Sequence, residues 1–212
     1  MEGVKLPFLF LKNTEQIFIL FLTQPNVCDT MKKLSNKEVI FVKFVHIADV
    51  HFDSPFEYLS QTGHLGDVRR LEQRNIFRKI IDYIQEHEID YLLIAGDLYE
   101  HQYVRKTTME YVRDLLTEIV DTEVFIVPGN HDPYVKNSFY DKIEWSQNVH
   151  ICKKETEVFC GEKLDIYMTA FTDFYQNDSP IEKIEIKNPN KDNLLLTHCD
   201  LNGTRDKNRI FI

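Results

Sequence analysis

Three apolar strand patterns alternate with two helical patterns in the middle of the chain, and this alternation limits its possible folds. Stretches rich in β-branched, aliphatic and aromatic residues predict strands over 39–48, 91–95 and 123–127. Apolar residues at helical spacing predict one helix within 67–87 and another around 109–119. Alternating strands and helices build a parallel sheet with covering helices, so we expect an α/β fold.

Four further strand patterns follow the third strand. They lie at 150–152, 157–160, 164–171 and 193–199. Their closer spacing leaves less room for crossover helices and predicts a second, partly antiparallel sheet. With 212 residues, the chain has the length of one domain with an appendage. We assign that domain to residues 38–212.

Residues 1–37 differ from the rest, and we interpret them as an N-terminal extension. Met31 opens a stretch typical of a protein start, so residues 1–30 are expected to be a non-native extension or a misassigned start. The alternative is an amphipathic N-terminal anchor. The apolar runs at 6–11 and 17–22 are shorter than the roughly 20 residues of a membrane span, so we expect no membrane association.

Charge and cysteine content narrow the possible functions. The formal net charge of −9 gives no overall basic footprint for coating nucleic acid. It is compatible with an enzyme whose acidic residues hold cations. The four cysteines form no Cys-x-x-Cys pair, which argues against a zinc ribbon. They are typical of a protein in the reducing cytoplasm, where we expect this chain to act.

Polar side chains of ligand type follow each strong strand. They are Asp49 and His51, Asp97, Asn130 with His131 and Asp132, and His198. In open α/β sheets, sites lie outside the carboxyl ends of the strands, so we expect these groups to converge. Mixed oxygen and nitrogen ligands without thiolates suit Mn²⁺, Fe or Zn²⁺. Two such ions are a common device for hydrolysing phosphate esters, and Asp97 is placed to bridge them.

The motifs Asp-x-His, Gly-Asp, Gly-Asn-His-Asp and Thr-His, in this order between Val42 and Asp200, resemble those of the calcineurin-like metallophosphoesterase superfamily. The resemblance implies an αββα sandwich of two mixed sheets flanked by helices. It also implies two divalent metal ions, with Mn²⁺ foremost. It assigns Asp49 and His51 to the first metal, Asn130 and His198 to the second, and Asp97 to both.

The same resemblance gives the two residues beside Asn130 a role in catalysis. His131 becomes the acid that protonates the leaving oxygen or stabilises the charged phosphoryl group. Asp132 is expected to orient the imidazole of His131 and to raise its pKa. A metal-activated water is expected to attack phosphorus in line with the leaving group.

Residues 47–56 and 197–206 are similar to bacterial DNA-repair exonucleases of the SbcD and YhaO type. That similarity implies DNA as substrate and an SMC-like ATPase as partner. The alternatives are a small-molecule phosphodiesterase and a non-catalytic binding domain. A stretch of basic residues could bind phosphates or could form a solvated helix face. It comprises Arg69, Arg70, Arg74, Arg78 and Lys79.

The family completes its site with a Gly-His-x-His motif downstream of Thr-His, and no histidine follows His198 here. We therefore expect a domain that is incomplete at its C-terminus and short of two metal ligands, with activity in doubt. His101 and His150 are weak substitutes because neither is predicted at a strand end. His46 is expected to be a core or supporting residue.

Overall fold

The computed structural model describes residues 42–55, 65–162, 164–176 and 179–199. The strands of this part are β1 (Phe44–Ile47), β2 (Tyr91–Ala95), β3 (Glu123–Val127), β4 (Val149–Ile151), β5 (Thr156–Cys160), β6 (Leu164–Thr169) and β7 (Asp192–Leu196). The helices are α1 (Leu65–His87), α2 (Lys106–Thr117), α3 (Phe139–Lys142) and the 3-10 helix Pro180–Lys183. The expectations for residues 1–37 and for the chain after Cys199 lie outside the described residues.

The first sheet has the order β1-β2-β3-β4, and every described pairing in it is parallel. In its centre, Leu92 of β2 lies opposite Val45 of β1 and Val124 of β3. All five residues of β2 are buried, as a strand covered on both faces requires. The predicted parallel sheet is confirmed, and β2 and β3 have the predicted bounds.

The position of β4 corrects the sequence analysis. The strand predicted at 150–152 was expected in the second sheet, but β4 pairs with β3 in the first sheet, with Ile151 opposite Ile126. Parallel pairing requires a crossover of about a dozen residues or more. The connection 128–148, which contains α3, is long enough for this crossover.

The second sheet has the order β5-β6-β7. Strand β5 is antiparallel to β6, with Val158 opposite Tyr167. Strand β7 is parallel to β6, with Leu195 also opposite Tyr167. The predicted second, partly antiparallel sheet is confirmed, and the two sheets with their helices form the predicted mixed α/β fold.

Two apolar cores hold the layers together, and alternate residues of β2 point into each. Leu92 and Ile94 join the core beneath α1 and α2, together with Phe77 and Met109. On the other face, the residues between the sheets include Leu93, Phe125, Ile166, Met168 and Leu196. Burial of each such side chain contributes roughly 1.5–3 kcal/mol to the free energy of unfolding. Both faces of the first sheet are therefore covered, which leaves the loops at its carboxyl edge to form a site.

The longest described helix, α1, is amphipathic. Phe77, Ile80, Ile81 and Ile84 are buried against the first sheet, whereas Leu71 and most of the charged residues face solvent. No helix in the described ranges is long and apolar enough to cross a membrane.

Candidate metal centre

The loops that follow β1 and β2 run side by side past the strand ends. The backbone N–H of Asp49 donates to the carbonyl of Gly96 at 3.2 Å, and that of His51 donates to the carbonyl of Asp97 at 2.8 Å. Asp49, His51 and Asp97 have φ angles of 55°, 49° and 52°, in the left-handed region that side chains rarely adopt. Such backbone strain concentrates at functional sites because the surrounding structure enforces it.

Two glycines permit the close approach of the loops. Gly96 has a φ of +80°, and a Cβ atom there would lie 2.3 Å from Cγ of His198. A Cβ atom at Gly129 would lie 2.2 Å from Oδ1 of Asp97. The glycines of the Gly-Asp and Gly-Asn motifs therefore leave the space that Asp97 and His198 occupy.

The carboxylate of Asp97 lies at the centre of the site. Its Oδ2 atom is 3.3 Å from Nε2 of His198 and 3.6 Å from Nε2 of His51. Nε2 of His51 is also 4.0 Å from Oδ1 of Asp49. These separations exceed the roughly 2.7–2.9 Å of a charge-assisted hydrogen bond. They suit atoms that share a cation, because ligand bonds of about 2.0–2.2 Å hold neighbouring donors somewhat over 3 Å apart.

His198, which follows β7, is oriented by a backbone contact. Its Nδ1 donates to the carbonyl of Ala95 at 3.0 Å, because a carbonyl oxygen only accepts. Nε2 therefore faces Oδ2 of Asp97 and Oδ1 of Asn130, the latter at 3.2 Å. Both oxygens are acceptors, so this nitrogen needs either a proton or a shared cation.

The charge state of His198 supports a cation site. Burial alone would lower the pKa of His198, but the nearby carboxylate of Asp97 outweighs it and raises the pKa to about 9. Burial likewise opposes ionisation of Asp97, yet His198 and the other neighbouring donors hold its pKa below the usual range. Without metal, a proton on His198 supplies the positive charge that these oxygens require. The donor set fits a divalent cation.

The structure brings all five sequence-predicted ligands to one place. Asp49, Asp97 and His198 each offer an atom within 4.8 Å of those of the other two. His51 adjoins this group through Nε2, and Asn130 adjoins it through Oδ1. The division of the five ligands between two metals remains a prediction.

Glu100 is a site residue that sequence reasoning missed. Its Oε1 lies 2.8 Å from Nδ1 of His51, and its Oε2 lies 3.0 Å from Nδ1 of His131. The three side chains also lie close enough together to hold a metal ion, but both contacts of Glu100 have the length of hydrogen bonds. We therefore interpret Glu100 as the carboxylate that orients both imidazoles. The available signal was its position three residues after Asp97.

The interactions among Glu100, His51 and His131 favour the ionised carboxylate and the protonated imidazoles. Burial alone would raise the pKa of Glu100, but hydrogen bonds and charges from His131 and His51 lower it to about 2. The hydrogen bond that His131 donates to Glu100 is the largest cause of the raised pKa of His131. At His51, burial lowers the pKa, but Glu100 and Asp97 raise it on balance.

His131 is held on one side and open on the other. Its Nδ1 is bound to Glu100, and its backbone N–H donates to Oδ1 of Asp97 at 2.9 Å. The side chain is 46% exposed, so Nε2 remains available to a bound substrate. Its ring meets that of His51 edge to face, with centroids 4.9 Å apart.

The carboxylate of Asp132 is fully buried, and each of its oxygens accepts two hydrogen bonds. Its Oδ1 accepts from the backbone N–H groups of Asp97 at 3.1 Å and Gly129 at 2.6 Å. Its Oδ2 accepts from the backbone N–H of Leu98 at 2.6 Å and from the hydroxyl of Tyr140. Asp132 thus joins the loop after β2 to the loop after β3.

These contacts correct the role expected for Asp132. The prediction that it orients the imidazole of His131 was wrong, because its oxygens are taken by backbone groups and Tyr140. Glu100 provides the hydrogen bond instead. The charge of Asp132 contributes to the raised pKa of His131, but less than Glu100 and Asp97 do. Burial, followed by the charge of Asp97, raises the pKa of Asp132 itself.

Gln73 on α1 is a second residue that the sequence analysis missed. It is buried, and its amide nitrogen donates to the carbonyls of Val50 at 2.9 Å and His51 at 3.2 Å. The side chain therefore fixes the Asp-x-His loop from beneath. The only sequence signal is a polar residue one turn before Phe77 on the apolar face of the predicted helix.

The basic stretch on α1 is largely engaged by groups of the protein. Arg78 makes two 2.6 Å contacts with Glu118, and Arg70 lies 2.6 Å from Asp67. Arg74 donates to Oγ1 of Thr108 at 2.7 Å. These contacts favour the solvated helix face over a phosphate-binding surface.

Three other histidines in the described ranges, His46, His101 and His150, lie outside the ligand set. His150 lies within β4, at 2.5 Å from a carboxylate oxygen of Glu123. His101 follows the Gly-Asp loop, and its backbone N–H donates to the carbonyl of His131 at 3.0 Å. His46 is half-buried in β1, and burial lowers its pKa. This position agrees with its expected supporting role.

Comparison with known families agrees with this geometry. The model of the calcineurin-like phosphoesterase family matches residues 42–209, and the chain belongs to that family. The family hydrolyses phosphoesters and typically binds divalent metals, for which the ligand groups above are candidates.

Two curated relatives are similar to parts of the chain. The uncharacterised metallophosphoesterase YhaO of Bacillus subtilis is 32% identical over 119 residues, which are 51% of this chain and 27% of the relative. The DNA double-strand break repair protein Mre11 of Methanopyrus kandleri is 30% identical over 96 residues, or 43% of this chain and 19% of the relative. The aligned part of the chain is thus under a third of either relative.

Proposed function

We propose that this site hydrolyses phosphodiester bonds of DNA with two divalent cations, as an exonuclease in DNA repair. The observation that carries the proposal is the position of Asp97. One of its oxygens lies between Nε2 of His51 and Nε2 of His198, and the other accepts the backbone N–H of His131. The similarity to a relative named as a DNA double-strand break repair protein supports DNA as the substrate.

Five side chains would hold the cations, namely Asp49, His51, Asp97, Asn130 and His198. Their mixed oxygen and nitrogen donors suit Mn²⁺ first, with Fe or Zn²⁺ as alternatives. When bound, such ions supply Lewis-acid charge for the phosphoryl oxygens and a nucleophile at neutral pH.

His131 would act as the general acid. Nδ1 of His131 donates to Glu100, so the proton that the imidazolium gives up is the one on Nε2, which can pass to the leaving oxygen. The same hydrogen bond raises the pKa of His131, which favours the protonated ring that a general acid requires. General-acid catalysis contributes roughly 10² to 10⁴-fold to such reactions.

A comparison of two leaving groups tests this role. His131→Gln is expected to lose roughly 10² to 10⁴-fold in activity on DNA, whose leaving alkoxide needs a proton. On bis(p-nitrophenyl) phosphate the loss is expected to be much smaller, because nitrophenolate leaves without one. Metal content of the variant should equal that of the wild type. Equal losses on both substrates would contradict the acid role.

A separate assay tests whether the substrate is DNA or a small phosphodiester. End-labelled linear DNA and bis(p-nitrophenyl) phosphate are incubated with the protein and Mn²⁺, with Asp97→Asn as the inactive control. Degradation of DNA from its ends supports the exonuclease. Hydrolysis of the small diester alone would favour the small-molecule phosphodiesterase. We further propose that the enzyme acts in the cytoplasm with an SMC-like ATPase, which co-purification from cell extract would test.

A further inference from the structure

A groove separate from the candidate metal centre runs between β4, β5 and the 3-10 helix Pro180–Lys183. Its volume is about 710 Å³, within the range of ligand-binding clefts. Its lining includes the aromatic rings of His150, Phe159 and Tyr167. The rings of His150 and Phe159 are in contact, with centroids 4.8 Å apart, so part of the groove has an aromatic wall.

Three lysines and two glutamates also line the groove. Lys183 is 2.7 Å from Glu155, and the carboxylate of Glu157 accepts the backbone N–H of Lys153 at 2.7 Å. Within the described ranges, the side chains of Lys154 and Lys187 have no acidic partner. Lys154 and Lys187 thus set two cations against the single carboxylate of Glu185, which also lines the groove and has no cationic partner in the described ranges. Cations beside aromatic rings favour an anionic ligand with flat rings.

Tyr134 and Lys153 lie between the candidate acid and the groove along the chain of contacts. Tyr134, three residues after His131, donates its backbone N–H to the carbonyl of Phe171 at 2.8 Å. The ammonium group of Lys153 lies 5.8 Å from the centroid of the Tyr134 ring. Lys153 is followed by Lys154 at the groove, so aromatic and basic side chains continue from the candidate acid to the groove.

We infer that this groove binds a single strand of nucleic acid whose end lies in the metal centre. Phosphates would lie on Lys154 and Lys187, and bases would stack on the aromatic wall. Proteins that bind single strands combine basic grooves with aromatic stacking surfaces in this way. The inference rests on the proposed phosphodiesterase function, because it extends the substrate path from the same site.

Fluorescence anisotropy with a labelled oligothymidylate tests the groove. EDTA is present, so no metal-dependent cleavage interferes. The variant Lys154→Ala/Lys187→Ala is expected to bind about tenfold more weakly at low salt. The slope of log K against log salt concentration should flatten by about 0.7 for each lysine removed. Glu185→Lys, which adds a cation to the same lining, should tighten binding and steepen the slope.

The matched control is Arg69→Ala/Lys79→Ala, which removes two exposed cations from α1 and should leave binding unchanged. Unchanged binding in the groove variants, or a loss confined to the α1 control, would overturn the inference. Hydrolysis of bis(p-nitrophenyl) phosphate separates the two proposals, because this small diester does not need the groove. Loss of DNA binding with hydrolysis intact supports the groove. If the wild-type protein hydrolyses no diester but still binds the oligonucleotide through Lys154 and Lys187, only the proposed function is refuted.

Discussion

Oε2 of Glu100 lies 3.0 Å from Nδ1 of His131, and the other oxygen of the same carboxylate lies 2.8 Å from Nδ1 of His51. One side chain therefore fixes the ring orientation of the candidate acid and of a candidate metal ligand. A carboxylate behind a ligating histidine is a common arrangement that raises ligand basicity. In this chain it also couples the two imidazoles to each other.

Replacement of Glu100 by glutamine is expected to lower the pKa of His131. The carboxylate raises this pKa in the wild type, so its removal shifts the value down. A general acid works while protonated, so the alkaline limb of the pH profile should move to lower pH. NMR titration of the imidazole in metal-free protein measures the pKa without any requirement for activity. An unchanged His131 pKa in Glu100→Gln would contradict the assignment.

Asp132→Asn is expected to lower the free energy of unfolding and to shift the pKa of His131 only slightly. An amide offers one acceptor oxygen to the four donors that now converge on the carboxylate. Buried donors without partners cost roughly 1–3 kcal/mol each, so the urea midpoint should fall clearly. Tyr140→Phe removes only one donor and serves as the milder control. A His131 pKa shift larger in Asp132→Asn than in Glu100→Gln would restore the orienting role to Asp132.

Gly96→Ala is expected to destabilise the protein and displace His198. The positive φ and the collision with the imidazole both oppose a Cβ atom there. The backbone strain alone costs about 1–3 kcal/mol. Gly66→Ala is the control, because its Cβ atom would lie 3.6 Å from the nearest Arg70 atom, an ordinary contact. Near the start of α1 that change should be neutral or mildly stabilising, because alanine loses less conformational freedom than glycine on folding. Equal thermal shifts of the two variants would argue against the strain at Gly96.

Cys152 and Cys160 should differ in alkylation rate. Cys152 is fully buried, and burial raises the pKa of its thiol to about 12. Because the thiolate is the reactive form, Cys152 should remain unmodified by iodoacetamide at mildly alkaline pH until the protein unfolds. Cys160 is exposed and should react in the folded state. Mass spectrometry after peptide digestion measures both sites, and rapid modification of Cys152 in folded protein would contradict its burial.

The sequence was sufficient to predict the parts of the fold and of the site that follow from the order of strands along the chain. Strands β2 and β3 are continuous apolar runs, and their bounds were confirmed. The candidate ligands were found because each follows a strand, and parallel strands end at one edge of a sheet.

The corrected features depend on contacts between segments that are distant in sequence. The alternation of residues does not determine which sheet β4 joins, because a short apolar strand fits either one. Glu100 lies in a loop and has no periodicity, so only the folded chain brings it to His51 and His131. Asp132 is adjacent to His131 in sequence, but backbone N–H groups at the strand ends bind its carboxylate inside the protein.

Anomalous X-ray diffraction from crystals soaked in Mn²⁺ tests the central claim most directly, because it locates the ions independently of activity. We predict manganese on both sides of the Asp97 carboxylate. One ion should lie at Nε2 of His51 with Asp49, and the other at Nε2 of His198 with Asn130. Asp97→Asn crystals should lose both. The account is contradicted if no manganese lies within a bond length, about 2.2 Å, of Asp97 in the wild-type protein.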